Sequence, residues 1–215
     1  MKIEVFTQKP EYFKEEWPGQ YDIFHWFEFV CGIPHSLFMI STYKENGKPN
    51  ACLHSWSSFS GDGGGFFAVM PGILRHSHTF ENILRTKEFC INFLSRDYFE
   101  KCRKTINENS YEADEFTLGE FTLESSKTIK SPRIKESFLS LECSLEMEMD
   151  LSQKGISSLI IGKVSAIGID ESFVSNTDNR YGQNGFMFNI HQPKNPLNAK
   201  GEVSGIGVID IVKKY

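Results

Sequence analysis

A chain of 215 residues with 40% hydrophobic and 13% aromatic content is long enough to bury one core, and no proline- or serine-rich linker divides it. Its formal net charge of -5, with acidic and basic residues mixed along the whole length, offers no basic stripe to a nucleic-acid backbone or an anionic membrane. No apolar run reaches the ~18 residues of a spanning helix, and residues 1–10, charged at Lys2, Glu4 and Lys9, lack the apolar block of a secretory leader. The expectation is one cytoplasmic domain over residues 1–215. The five cysteines are odd in number and never spaced C-x-x-C, which suggests neither a disulfide framework nor a metal site.

In chain order, residues 1–30 come first, an extension whose Trp17, Trp26 and aromatics from Phe24 to Phe29 form an apolar segment. It is expected to pack on the body of the fold or on a partner subunit. Residues 37–43 and 51–56 read as strands, joined by a hairpin turn at Asn46-Gly47, where both residue types tolerate positive φ. A strand over 66–70 follows the glycine run Gly63-Gly64-Gly65, which reads as a loose turn. Residues 79–86 place Phe80, Ile83 and Leu84 on one helical face, with Ser77 or Thr79 as cap. A strand over 88–94 leads to a second short helix after Ser95, with Tyr98, Phe99 and Cys102 as its apolar side.

Residues 121–124 read as a strand, and residues 141–150 show the cleanest period-two pattern in the chain. Leu141, Cys143, Leu145, Met147 and Met149 fall on one face, with Glu142, Glu146 and Glu148 on a solvated one. Strands over 159–168 and 207–212 complete the set. Many strands, two short helices and no β-α alternation argue for a mainly β, antiparallel barrel or sandwich. No dinucleotide-binding G-x-G-x-x-G and no P-loop is present.

Four stretches then stand in a telling order: Ile33-Pro34-His35 leading to Asn46-Gly47-Lys48-Pro49-Asn50-Ala51; Ser55-Trp56-Ser57-Ser58-Phe59-Ser60; residues 75–92 from Arg75 to Asn92; and Ile134-Lys135-Glu136-Ser137 with Leu141-Glu142-Cys143 and Ile161-Gly162-Lys163-Val164. In this arrangement the chain resembles the flavin reductase-like, flavoredoxin-type family. The resemblance implies an antiparallel, Greek-key split β-barrel that binds FMN and works as a homodimer. It departs from many relatives at Gly61-Asp62-Gly63-Gly64-Gly65, where they carry Asp-Pro-Pro.

The resemblance assigns flavin contact to the run Cys52, Leu53, His54, Ser55, Trp56, Ser57 and Ser58. Small hydroxyls suit ribityl and phosphate oxygens, and backbone amides suit the ring edge. It assigns the phosphate to Arg75, His76, Ser77, His78 and Thr79, where local chemistry agrees: a helix entry with hydroxyl caps beside a guanidinium is an anion site. Other readings of these residues stay open. Ser77 and Thr79 also serve as ordinary caps, Arg75 as a solvated loop residue, Cys52 as a small packing thiol and Trp56 as a core or dimer contact. His76 and His78 lack the further ligands a metal needs. His191 lies in a loop at 189–193 suited to the substrate side.

The implied activity is an NAD(P)H:flavin oxidoreductase passing electrons through FMN to a small-molecule or protein acceptor. The cofactor carries that chemistry, so no acid, base or nucleophile is required in the sequence. Two alternatives stand beside it: a non-enzymatic, flavoredoxin-like electron carrier reduced by a partner protein, and a barrel that keeps the fold without the flavin.

Overall fold

The computed structural model describes residues 1–106 and 110–214. The helices are α1 (Gln20–Ile23), α2 (Trp26–Cys31), α3 (His78–Thr86), α4 (Phe99–Lys104), α5 (Glu115–Gly119) and α6 (Glu171–Ser175). The strands are β1 (His35–Tyr43), β2 (Pro49–His54), β3 (Ser58–Asp62), β4 (Gly65–Leu74), β5 (Glu88–Phe93), β6 (Leu123–Glu124), β7 (Arg133–Ile134), β8 (Leu139–Met149), β9 (Ser157–Ile169), β10 (Met187–Ile190) and β11 (Gly205–Gly207). Nine of them form one antiparallel sheet in the order β11-β10-β1-β5-β8-β9-β4-β3, with β2 also on β1. No helix among the described residues is long and apolar enough to cross a membrane.

The split originates in β1. One edge pairs with β5 through Met39, Ile40 and Ser41. The other pairs first with β10 through His35, Ser36 and Leu37, then with β2 from Phe38 to Tyr43. Changing partner part-way along one edge divides the sheet, and among the described residues no ladder closes it. Both faces of β1 are buried. Phe38 and Ile40 enter a core with Met70, Phe89, Ile91 and Ile160, whereas Leu37 and Met39 enter a second cluster with Ala51, Leu94, Cys102 and Phe116. This two-sided burial explains why residues 37–40 are continuously apolar instead of alternating.

Between β1 and β2, Gly47 takes a φ of 82° in the expected turn, while Asn46 does not take positive φ and accepts from the Lys48 amide at 3.1 Å instead. The α3 helix carries Ser77 as its N-cap, with Oγ accepting from the Phe80 amide at 3.2 Å. The helix after Ser95 is present as a 3-10 turn, Arg96–Tyr98, running into α4.

Several expectations are corrected. The alternation over residues 141–150 fails in its second half, because register shifts at Glu142/Cys143 and Leu145/Met147 rotate the strand. Met147 and Met149 are exposed, and Glu142 is fully buried, not solvated. Its carboxylate accepts from the Lys127 amide at 2.8 Å, the Thr128 amide at 2.6 Å and Arg133 Nε at 2.8 Å. Glu148 pairs with Arg75. The expected strand over 121–124 is only the two-residue β6, since Phe121 turns into the second core cluster. The expected strand over 207–212 is instead β11, which ends at Gly207. Residues 58–62 form β3, whose hairpin with β4 places the glycine run in a tight turn where Asp62 Oδ1 accepts from the Gly64 amide at 2.7 Å.

Residues 1–30 pack on the chain's own later segments. Phe13 is completely buried, edge-on to Trp26 at 5.1 Å. The Lys194 amide donates to the Phe29 carbonyl at 2.6 Å, Lys194 Nζ donates to Glu16 Oε1 at 2.8 Å, and Tyr12 Oη donates to the Pro196 carbonyl at 2.8 Å.

Candidate functional site

The site grows from the end of β2. The strand stops at His54, two residues short of the expected end, because Trp56 adopts a φ of 53°. A bulky side chain rarely occupies that left-handed region, and holding it there costs on the order of 1–3 kcal/mol. The turn directs the indole against the N-terminal segment: Phe24 stacks on it at 5.3 Å with planes inclined 26°, and His191 meets it edge-on at 5.3 Å.

Beside this aromatic pair lies a cleft of about 350 Å³. Cys52, Leu53, His54 and Trp56 form one wall, and Ser77 and Thr79 at the start of α3 contribute to another. The bend of β4 at Pro71 and Gly72, the Ser157 and Ser158 end of β9, and Phe24 and Glu28 also line it. A second groove of about 480 Å³ shares Leu53, His54 and Trp56 and adds Ser55, Arg103 and Asn189.

Four buried polar atoms at this corner have no partner among the described residues: His54 Nε2, Ser55 Oγ, Ser57 Oγ and His191 Nδ1. Such groups cost about 1–3 kcal/mol each unless a ligand or water satisfies them. Burial pushes the His54 pKa down to about 3, so the imidazole is neutral. Burial raises Glu28, opposed by hydrogen bonds from the His25 amide and the Trp56 side chain. It lowers His191, whose Nδ1 lies 4.0 Å from Glu28 Oε2 without a hydrogen bond. Burial thus disfavours the charged form of all three of these groups. Burial also raises the Cys52 thiol, which marks it as a packing group and not a thiolate.

The phosphate-assigned residues separate. Ser77 caps α3 and donates to the Leu74 carbonyl at 2.7 Å; Thr79 is buried, with Oγ1 accepting from Asn50 Nδ2 at 3.0 Å. Arg75 is outside the cleft lining, its Nη1 donating to Glu148 Oε1 at 2.9 Å and Ser158 Oγ at 3.0 Å, with Asp150 3.9 Å away. His76 is exposed, and His78 meets the Tyr111 ring at 5.8 Å. Ser57 and Ser58 are also outside the lining, Ser58 being the exposed first residue of β3. Sequence reasoning missed Phe24, Glu28, Pro71, Ser157 and Ser158. The aromatic richness of residues 24–29 was the one available signal for the first two.

A family model for the flavin reductase like domain matches residues 30–185. An uncharacterized protein of Aquifex aeolicus strain VF5 is 35% identical over 131 residues, 55% of this chain and 63% of that protein, so the match spans less than two thirds of its length. Among solved structures, a split-barrel protein from Shewanella frigidimarina NCIMB 400 aligns over 88% of this chain and 89% of its own, with a TM-score of 0.71 and 20% identity. A flavoredoxin from Methanosarcina acetivorans aligns over all of this chain and 95% of its own, with a TM-score of 0.70 and 15% identity. At such identities the structures speak for the fold, an antiparallel split barrel, while the family model spans most of the chain. The chain belongs to the flavin reductase like domain family.

Proposed function

We propose that this protein binds FMN in the cleft between the end of β2 and the start of α3, and passes electrons from NAD(P)H through it to an acceptor, as a homodimer. The observation that carries the reading is that Cys52, Leu53, His54 and Trp56 converge with Ser77 and Thr79 on one cleft of about 350 Å³, within the range of cofactor sites. The unsatisfied Ser55, Ser57 and His54 atoms beside it fit a ligand rich in hydroxyls and ring heteroatoms.

The flavin, when bound, supplies the hydride and electron chemistry. The chain's residues bind and orient. Neutral His54 offers a hydrogen bond without placing a charge beside the ring. Trp56 and Phe24 form an aromatic wall that excludes water. The opening amides of α3 favour an anion, with Arg75 one side chain away and shared with Glu148. The likeness to a flavoredoxin favours a second reading, an electron carrier reduced by a partner protein.

One experiment tests both. The purified protein is expected to show a flavin spectrum, to release FMN on heating, and to be reduced by NADH or NADPH in stopped flow within one catalytic turnover time. Loss of flavin binding overturns the cofactor assignment; a tightly bound flavin that neither nicotinamide reduces supports the carrier.

A further inference from the structure

We propose that a third cavity, sharing no lining residue with the cleft or the groove beside it, binds a small aromatic carboxylate. This cavity, of about 600 Å³, is walled by Phe59, Phe93, Phe138, Phe186 and Phe188, and Arg180 also lines it. An apolar chamber of that size accepts one or two fused rings. Its interior edges are already built for ring packing: Phe186 meets Phe93 at 5.1 Å and 85°, and Phe138 at 5.1 Å and 73°.

Arg180 sets the chemistry. Its Nε is buried without a hydrogen-bond partner, and the guanidinium makes no ion pair among the described residues. Its side chain is held only by a long hydrogen bond, Nη2 donating to the Phe173 carbonyl at 3.4 Å, among the described residues. Arg180 is only partly buried, yet its guanidinium lines an apolar cavity that holds no carboxylate, with Nε buried and unpaired, and it calls for an anion of matching shape because Arg presents parallel donors to a carboxylate.

The backbone fixes this placement. The Phe186 amide donates to the Arg180 carbonyl at 2.9 Å, and the Gly182 amide donates to the Ile209 carbonyl at 2.7 Å, which draws the C-terminal segment across the mouth. Tyr181, Ile167 and Ile209 leave that mouth apolar and exposed. A ligand with an apolar body and a single carboxylate satisfies both parts; a phosphate or sugar satisfies only Arg180.

The test uses flavin-loaded protein and two probes, naphthoate and its neutral analogue naphthylmethanol, titrated by calorimetry. Naphthoate is expected to bind at least tenfold more tightly, without displacing flavin. Arg180→Gln should weaken naphthoate roughly tenfold to a hundredfold and leave naphthylmethanol unchanged. Ile209→Glu, at an exposed rim position, should weaken naphthoate by like-charge repulsion, and so tests the same idea if Arg180→Gln fails to fold. Equal affinity for the two probes, indifference to either variant, or displacement of flavin overturns the proposal. So does failure of naphthoate to bind at millimolar concentration; a dimer that Ile209→Glu dissociates would then assign the cavity to a second copy of the chain.

Discussion

The Phe24 ring stacks on the Trp56 indole, 5.3 Å away with planes inclined 26°, across the junction between the N-terminal segment and the end of β2. That contact holds a tryptophan in a backbone conformation it would otherwise leave. Phe24→Ala should lower stability by about 1–3 kcal/mol in a urea melt. If the pair walls a flavin ring, the same change should weaken FMN and riboflavin by equal factors, since both carry the ring.

Arg75 gives the opposite pattern. If its guanidinium, paired here with Glu148, also reaches an FMN phosphate, Arg75→Ala should weaken FMN roughly tenfold to a hundredfold more than riboflavin. Glu148→Gln should tighten FMN relative to riboflavin by releasing the guanidinium. Stability should move by less than about 1 kcal/mol in either variant, because the pair is partly solvated. Equal effects on the two ligands, by fluorescence titration, would make Arg75 a scaffold residue.

Acid should unfold the protein through two groups with different windows. At Glu142 burial pushes the pKa up, but bonds from Thr128, the Lys127 and Thr128 amides and Arg133 outweigh it and hold the carboxyl at about 2, below the ordinary 4.5. A depressed carboxyl stabilises the fold above its unfolded pKa, and that contribution, on the order of 3 kcal/mol, is lost as pH falls from 4.5 through about 2. His54 has the same sign at higher pH. The unfolded chain takes up a proton near 6.5 that the folded chain refuses until about 3, so stability declines across that interval. Urea melts as a function of pH should show both phases, and Glu142→Gln should flatten only the lower one. The His54 ring signals should not titrate between about pH 8 and about pH 4.

Two glycines separate packing from turn formation. A Cβ on Gly162 would sit 2.3 Å from the ring of Phe89, which is itself wholly buried and cannot yield, so Gly162→Ala should cost about 1–3 kcal/mol. A methyl group on Gly63 would meet nothing within 4 Å, and the residue has no positive φ, so Gly63→Ala should be nearly neutral. Thermal melts of the two variants compare them directly.

Strands β1, β2, β4, β5, β8 and β9, the Asn46-Gly47 turn and the capped helix at Ser77 were legible because each is written in neighbouring residues, whereas β3 and β10 were missed. The buried state of Glu142 was not legible, since its partners come from other segments, Lys127 and Thr128 from the loop between β6 and β7 and Arg133 from β7, and not from the strand that carries it. The bulges in β8 were hidden for the same reason: Met147 and Met149 keep the right period, and only pairing with β9 turns them outward. At the site, β2 and α3 announced themselves through hydroxyls and sequence order. Phe24, Glu28 and Ser158 did not, because an aromatic, an acid and a serine acquire meaning there only from what the fold sets opposite them.

The anchoring of residues 1–30 on Lys194 and Pro196 also bears on synthesis. On the ribosome, Phe24 can meet Trp56 early, but Glu16 and the Phe29 carbonyl have no Lys194 to bind until residues 187–196 have left the exit tunnel. Until then residues 1–30 lack their anchor on Lys194, and β1 has only β2 and β5 beside it. An order of assembly follows from chain position alone, an early sheet and a late clasp between residues 1–30 and residues 194–196.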